Sequence, residues 1–272
     1  MSFKIVKINS SNEDFFKDNV LELNKLIHYP FAERTFQMSY SESYFDYFKK
    51  LGEVHYYLMI DNSNSQVVAT GAAILRTLSW NEFHQESVWF LTDLKVHPDY
   101  RGRKLSLKLI AYGFFRKIWS CRKAYMISYD PKGGLTRNSA VSLLTRFRWA
   151  PIRYAITMYV YHMTFSEFLS HQTDLRKTFG DLVATSTDEY RTLRLNSSSN
   201  TYDFVHLQRG ALALSFDVKP ITKSSVICFL LEEHESLRSV LKTKNVLPVA
   251  TASVLTLNFR PLNWSFLLTS DV

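Results

Sequence analysis

Two cysteines in 272 residues, Cys121 and Cys228, are too few for a disulfide framework and have no spacing suited to a zinc site. That scarcity fits a reducing compartment. No His-Glu-x-x-His or comparable ligand pattern occurs, so no metal is expected. No apolar run reaches the ~18 residues that suggest a membrane span, and the opening "MSFKIVKINSSNEDFF" lacks the long apolar core of a signal peptide. The expectation is a cytoplasmic protein without a membrane span. There is no fixed-period repeat and no long low-complexity segment.

Acidic residues are also missing from one stretch. The formal charge is +8, and all of the excess lies before residue 165. Residues 95–153 carry 14 basic side chains against only Asp99 and Asp130. Such a segment attracts phosphates, acidic substrates or nucleic acid, unless it is simply a solvated face. What is abundant is apolar: 46% hydrophobic and 15% aromatic residues suffice for a large core.

Patterning predicts a strand over 3–8, helices over 11–27 and 41–52, and a hairpin from 54–60 and 66–78 around "DNSNS". A strand over 87–96, a helix over 104–119, a strand over 123–130, a helix near 138–147 and a strand over 152–163 complete an α/β unit with a mixed central sheet flanked by helices. A smaller α+β domain is expected to follow, so the division is 1–165 and 166–272. Its closing strands are read from "VATASVLTLNFR" and "WSFLLTS".

The densest positive charge lies in "HPDYRGRKLSLKLI", residues 97–110, where a strand turns into a helix. The first-turn amides of a helix have no internal partner and sit at the positive end of its dipole, so main chain alone can hold a pyrophosphate. Arg101, Arg103, Lys104 and Lys108 add counter-charge. A solvated basic helix start is the alternative.

"LTDLKVHPDYRGRKLSLKLI" resembles the acyl-CoA binding motif of the GNAT superfamily of N-acyltransferases, in its strand ending in Val96, its Arg101-Gly102 pair and its amphipathic helix. The order of elements fits over about 1–163. The resemblance implies a GNAT-like fold and an acyl-CoA, most simply acetyl-CoA, as co-substrate. The backbone of Leu94, Lys95 and Val96 would bind the pantetheine arm, and Arg101, Gly102, Arg103, Lys104, Leu105 and Ser106 the pyrophosphate. Lys104 and Ser106 stand where the family has glycine and a small residue. A lysine with helical φ and ψ would still present its N–H there.

In that reading Asp93 is the carboxylate nearest the thioester, as base or water-orienter; its other reading is pairing with Lys95 or an arginine. Strict alternation would put Val88, Phe90, Thr92, Leu94 and Val96 on one face of the strand and Trp89, Leu91, Asp93 and Lys95 on the other. "NSAVSLLTRFRWAPI" resembles the family's second helix, with Asn138 near its usual place, but the tyrosine that protonates the thiolate falls on Leu144. Tyr129 and Tyr112 are the candidates to replace it, though aromatics at such positions are commonly core. His28, Tyr29, His84 and Glu86 are candidate acceptor contacts. Cys121, beside Arg122 and Lys123, is a weaker nucleophile candidate because no histidine partner is visible.

The expected function is N-acetyl transfer to an unidentified amine by direct attack in a ternary complex. Two alternatives stand beside it: a GNAT-like acyl-CoA-binding or partner-binding protein without turnover, and a nucleic-acid-binding protein using 95–153. The second part of the chain is expected to be a degenerate GNAT-like domain that completes or covers the acceptor cleft.

Overall fold

The computed structural model describes residues 2–31, 34–40, 44–81, 84–117, 120–130, 139–145, 152–180, 183–186, 191–195, 203–209, 217–261 and 263–271. The first part runs β1 (Phe3–Lys7), α1 (Glu13–Lys25), β2 (Tyr29–Phe31), β3 (Arg34–Tyr40), α2 (Tyr44–Lys50), β4 (Glu53–Asp61), β5 (Val67–Asn81), β6 (His84–Val96), α3 (Leu105–Lys117), β7 (Ala124–Tyr129), α4 (Ser139–Leu144) and β8 (Ile152–Thr164). The second runs α5 (Phe165–Phe179), β9 (Val183–Thr185), β10 (Arg191–Leu195), β11 (Asp203–Gln208), β12 (Ser225–Glu232), α6 (Ser236–Thr243) and β13 (Ala250–Leu257). The expected boundary falls where Thr164 caps α5: its hydroxyl accepts from Glu167 N–H while Glu167 binds the Thr164 amide, a reciprocal capping box.

Ten strands form one sheet in the order β1-β4-β5-β6-β7-β13-β8-β12-β11-β9. All its pairs are antiparallel except β6 with β7 and β11 with β12. The order reads nearly the same from both ends towards the middle. Each half has a parallel pair, a helix (α4 or α6) and a last strand (β8 or β13), and that last strand lies beside the other half's parallel pair. The two halves thus exchange strands, and the second one supplies β13 to the gap between β7 and β8. A separate three-stranded sheet, β10-β3-β2, joins residues of the second half to a hairpin between α1 and α2 that patterning did not predict.

One face of the large sheet packs Val88, Phe90, Tyr125, Met158 and Val254 against α1 and α2. The other face meets α3 and α4 through Leu105, Leu109, Val141 and Leu144, and α5 and α6 through Phe168, Leu175, Leu237 and Leu241. On β8 the alternation is visible: Met158 and Val160 face the first cluster, Tyr161 and Met163 the other.

"WSFLLTS" is not a strand. It forms turns ending in a 3-10 turn, Thr269–Asp271, with Phe266 through Asp271 buried consecutively rather than alternately. The physical reason lies at its end, where Asp271 makes a two-pronged ion pair with Arg76 of β5, each bond 2.7 Å, and both side chains are fully buried. Burial alone would push the proton off Arg76, but Asp271 more than offsets it and keeps the guanidinium charged.

Candidate active site

The parallel pair β6-β7 is in register only over Trp89–Leu91 and Ala124–Met126. Beyond Leu91, β6 continues beside β5 while the rest of β7 pairs with β13, so the two strands part. Thr92 to Val96 therefore turn one backbone edge to an opening instead of a ladder. At that point β6 bulges: Thr70 opposes Lys95 and Ala72 opposes Thr92, leaving Asp93 and Leu94 opposite Gly71 alone. Asp93 takes the extra residue's left-handed conformation, φ 54°, and its carbonyl accepts from the Thr70 hydroxyl at 2.9 Å.

The bulge overturns the expected alternation. Phe90 and Asp93 share the α1/α2 side, whereas Leu91 and Leu94 share the α3 side. Asp93 thereby reaches a polar network that strand periodicity does not reveal. Its Oδ1 pairs with Lys95 Nζ at 2.5 Å, with the two side chains 3% and 4% exposed, and its Oδ2 accepts from the hydroxyls of Tyr44 and Tyr56. Those hydroxyls also meet each other at 2.9 Å. Lys95 donates further to Asn24 Oδ1 and, at 3.1 Å, to Tyr40. Burial, with the Asp93 charge added, pushes Tyr44 and Tyr56 well above the ordinary tyrosine range, so both stay protonated. The Asn24 amide NH₂, buried beside Lys95, has no partner among the described residues. Pairing with Lys95 is thus the geometry of Asp93.

After Val96 the chain makes a 3-10 turn, Pro98–Tyr100, capped by His97, and enters the basic loop. Tyr100 is the anchor: it is buried, and its hydroxyl donates to Asp61 at 2.9 Å. Arg101, Gly102, Arg103 and Lys104 are exposed, Leu105 is buried, and Ser106 opens the first turn of α3. Gly102 has φ 78° and Lys104 has φ 59°. The expectation of helical φ and ψ at Lys104 is corrected by this. The backbone there is left-handed, the conformation that glycine adopts without strain. The Lys104 carbonyl accepts the first helical bond, from Lys108, at 3.1 Å. The amides of Leu105 to Leu107 form the first turn and have no partner within α3.

Across the opening, Tyr129 ends β7, its ring 5.9 Å from that of Tyr29 and 5.8 Å from that of Phe36. Tyr29 stacks on Phe36 at 5.2 Å. The hairpin β2-β3, itself paired with β10, thus forms a wall beside the end of β7. His28 is exposed nearby and shares a 3.0 Å contact with Gln37. Asp130, the next residue after Tyr129, is buried and accepts from Ser253 at 2.7 Å and Thr251 at 3.2 Å. Patterning did not single out Asp130, Tyr40, Tyr44 or Tyr56.

His84 and Glu86 are not at this end. They start β6, and Glu86 forms an ion pair with Lys123 just before β7, roughly 20 Å of strand from Asp93. Strand direction is the reason, because β6 opens at its C-terminal end. Asn138 lies outside the described residues. Leu144, at the family's tyrosine position, is buried against Met126, Val141 and Leu255. Tyr112 packs on Tyr57, and the Cys121 thiol donates to the Ser87 carbonyl at 3.2 Å.

On the α3 side of the opening lies a cavity of about 330 Å³. Leu94, Leu107, Ile110, Met126, Leu144 and Leu255 line one part of it, and Trp89, Ala124, Cys121 and Leu257 another, near the start of β7, where the exposed Arg122 and Lys123 also border it.

The second parallel pair parts in the same way after His206 and Cys228. That opening is filled: Leu207, Gln208 and Leu230 are met by Trp264, Leu267 and Thr269, leaving about 20 Å³. The Thr269 hydroxyl donates to the Leu207 carbonyl at 3.0 Å.

Among the described residues no helix is long and apolar enough to cross a membrane, and no group of His, Cys, Asp and Glu could hold a metal ion. No protein-family model matches the chain. An uncharacterised protein of Acanthamoeba polyphaga mimivirus is 20% identical over 244 residues, spanning 85% of this chain and 69% of that protein. Among solved structures, a tandem GNAT protein from the clavulanic acid biosynthesis pathway aligns over 96% of this chain and all of its own, with TM-score 0.56 and 11% identity. NAA60 of Arabidopsis thaliana, in complex with acetyl-CoA, aligns over 72% of this chain and all of its own, with TM-score 0.42 and 13% identity. The mixed sheet with its parting parallel strands is the GNAT fold, and the chain carries it with an extension, as the tandem GNAT protein does.

Proposed function

We propose that the protein is an acyl-CoA-dependent N-acyltransferase that transfers an acyl group, acetyl in the simplest case, to an amine. The observation that carries this reading is the opening between β6 and β7, followed at once by a left-handed basic loop and the start of α3. The unpaired backbone edge of Leu94 to Val96 suits the amides of a pantetheine arm. The amides of residues 101–106 suit a pyrophosphate, with Arg101, Arg103 and Lys104 exposed around it.

The reaction is attack of the amine nitrogen on the thioester carbonyl carbon. An N–C bond forms, the C–S bond breaks, one amine proton is lost, and the thiolate takes up a proton. Asp93 has both oxygens engaged, so it accepts the amine proton through the hydroxyl of Tyr44 or Tyr56 rather than by direct contact. Tyr129, on the opposite wall, is the donor to the thiolate. Tyr29, His28 and the hairpin around them line the amine's approach. The 1–165 and 166–272 parts act as one unit, the second closing the sheet and bracing the hairpin through β10.

Isothermal titration with acetyl-CoA, with dephospho-CoA as comparator, is the test. Saturable binding that weakens without the 3′-phosphate supports the reading; no binding of either sinks it. With an acceptor found by screening, Asp93→Asn is expected to lower kcat by about 10²-fold or more while leaving coenzyme A affinity within twofold. The non-catalytic reading is favoured by the buried Leu144 at the usual acid's position. Tight acyl-CoA binding with no turnover on any amine class would select it.

A further inference from the structure

We infer that the cavity beneath α3 is an acyl-chain slot, so that the preferred donor carries a long saturated acyl group rather than acetyl. The inference rests on the acyl-CoA reading and names the donor class. The cavity adjoins the opening in the sheet, because Thr92 and Leu94 of the bulged strand line it. From there it follows β6 back to Trp89, about 17 Å of strand. It is therefore long as well as large.

Small residues help to leave the space: Ala73, Ala111 and Ala124 line it, while Gly71 and Gly113, also in its wall, are met closely by Leu94 and Tyr57. The rest of the wall is almost entirely carbon. Of the charged residues in its wall, Arg122 and Lys123 are exposed and border it near the start of β7, Lys123 pairing with Glu86, and the Tyr125 hydroxyl is taken by Arg76. A pantetheine arm does not suit the deep part, since its two amides would lose their partners there. An acetyl methyl would leave it almost wholly empty. A polymethylene chain asks only for apolar contact along its length, and each methylene moved from water into such a site strengthens binding by roughly fourfold at best.

The test is a chain-length series on the wild-type protein: acetyl-, hexanoyl-, decanoyl- and palmitoyl-CoA, titrated below their micelle-forming concentrations. Affinity is expected to rise by at least about tenfold from acetyl to decanoyl. A flat series with clear acetyl-CoA binding overturns the slot and leaves the acyl-CoA reading intact. Failure of every thioester to bind overturns both. Ala73→Phe, which fills the far end near Trp89 and Cys121, is expected to remove the advantage of decanoyl over acetyl while acetyl-CoA binding changes less than twofold. Ala111→Phe, on the helix side, provides the same readout should the strand variant not fold. A decanoyl advantage that survives in both folded variants would place the chain elsewhere and overturn the assignment.

Discussion

Two side chains hold left-handed backbone at the site, Asp93 at the bulge and Lys104 at the loop. A residue with a Cβ is strained there by about 1 kcal/mol relative to glycine. Lys104→Gly is therefore expected to raise the thermal midpoint. Coenzyme A affinity is expected to fall severalfold in the same variant if the ammonium serves the phosphate, and titration against wild type reads both effects apart. The position was legible in the sequence through its motif; its φ was not, since a lysine gives no sign of a left-handed backbone. Asp93 was legible in the same way, but its partners Tyr44 and Tyr56 come from elements far along the chain, and no local pattern links them. Another residue-scale expectation concerns pH. His162, beside Phe204, is pushed down by burial to about 3 from 6.5. The unfolded chain takes up this proton as pH falls below 6.5 and the native one does not, so stability is lost from there towards pH 3. His162→Phe should flatten the fall in thermal midpoint between pH 6.5 and 4; an unchanged slope would exclude His162 as its source.

At the scale of elements, the parting of two parallel strands occurs twice, and among the described residues the first opening has room while the second is nearly closed. Trp264, Leu267 and Thr269 fill the second. One coenzyme A per chain is expected at saturation, and a calorimetric stoichiometry near two would contradict this account. Strand and helix positions were largely readable: β4, β5, β6, α3 and β7 fall within a few residues of the patterned segments. What periodicity missed has definite causes. A single inserted residue at Asp93-Leu94 reverses the faces of everything after it. The short hairpin β2-β3 owes its pairing to β10, more than 150 residues away in sequence. His84 and Glu86 were assigned to the site because they are near it in sequence, whereas a long strand carries its two ends far apart.

For the whole molecule, one ten-stranded sheet takes strands from both sides of residue 165. Their junction is secured from the second half by the buried Arg76–Asp271 pair, which also ties in α2 through the 2.7 Å bond from the Tyr47 hydroxyl to the Ser270 carbonyl. Asp271→Asn leaves a buried guanidinium without its counter-charge and is expected to cost about 3–5 kcal/mol, seen as a lower denaturant midpoint. The double variant Arg76→Met with Asp271→Leu should recover much of that loss; no recovery would mean that the ion pair's geometry, not its charge balance, holds the segment in place.

The exchanged strand also has a consequence for synthesis. β7 leaves the ribosome about 120 residues before β13, so β13 is not there to cover its edge during that interval. A nascent chain of this kind offers an apolar strand edge to any neighbour, which favours chaperone capture over early folding. The cavity beneath α3, whose wall includes Leu255 and Leu257 of β13, cannot be complete until translation has passed them.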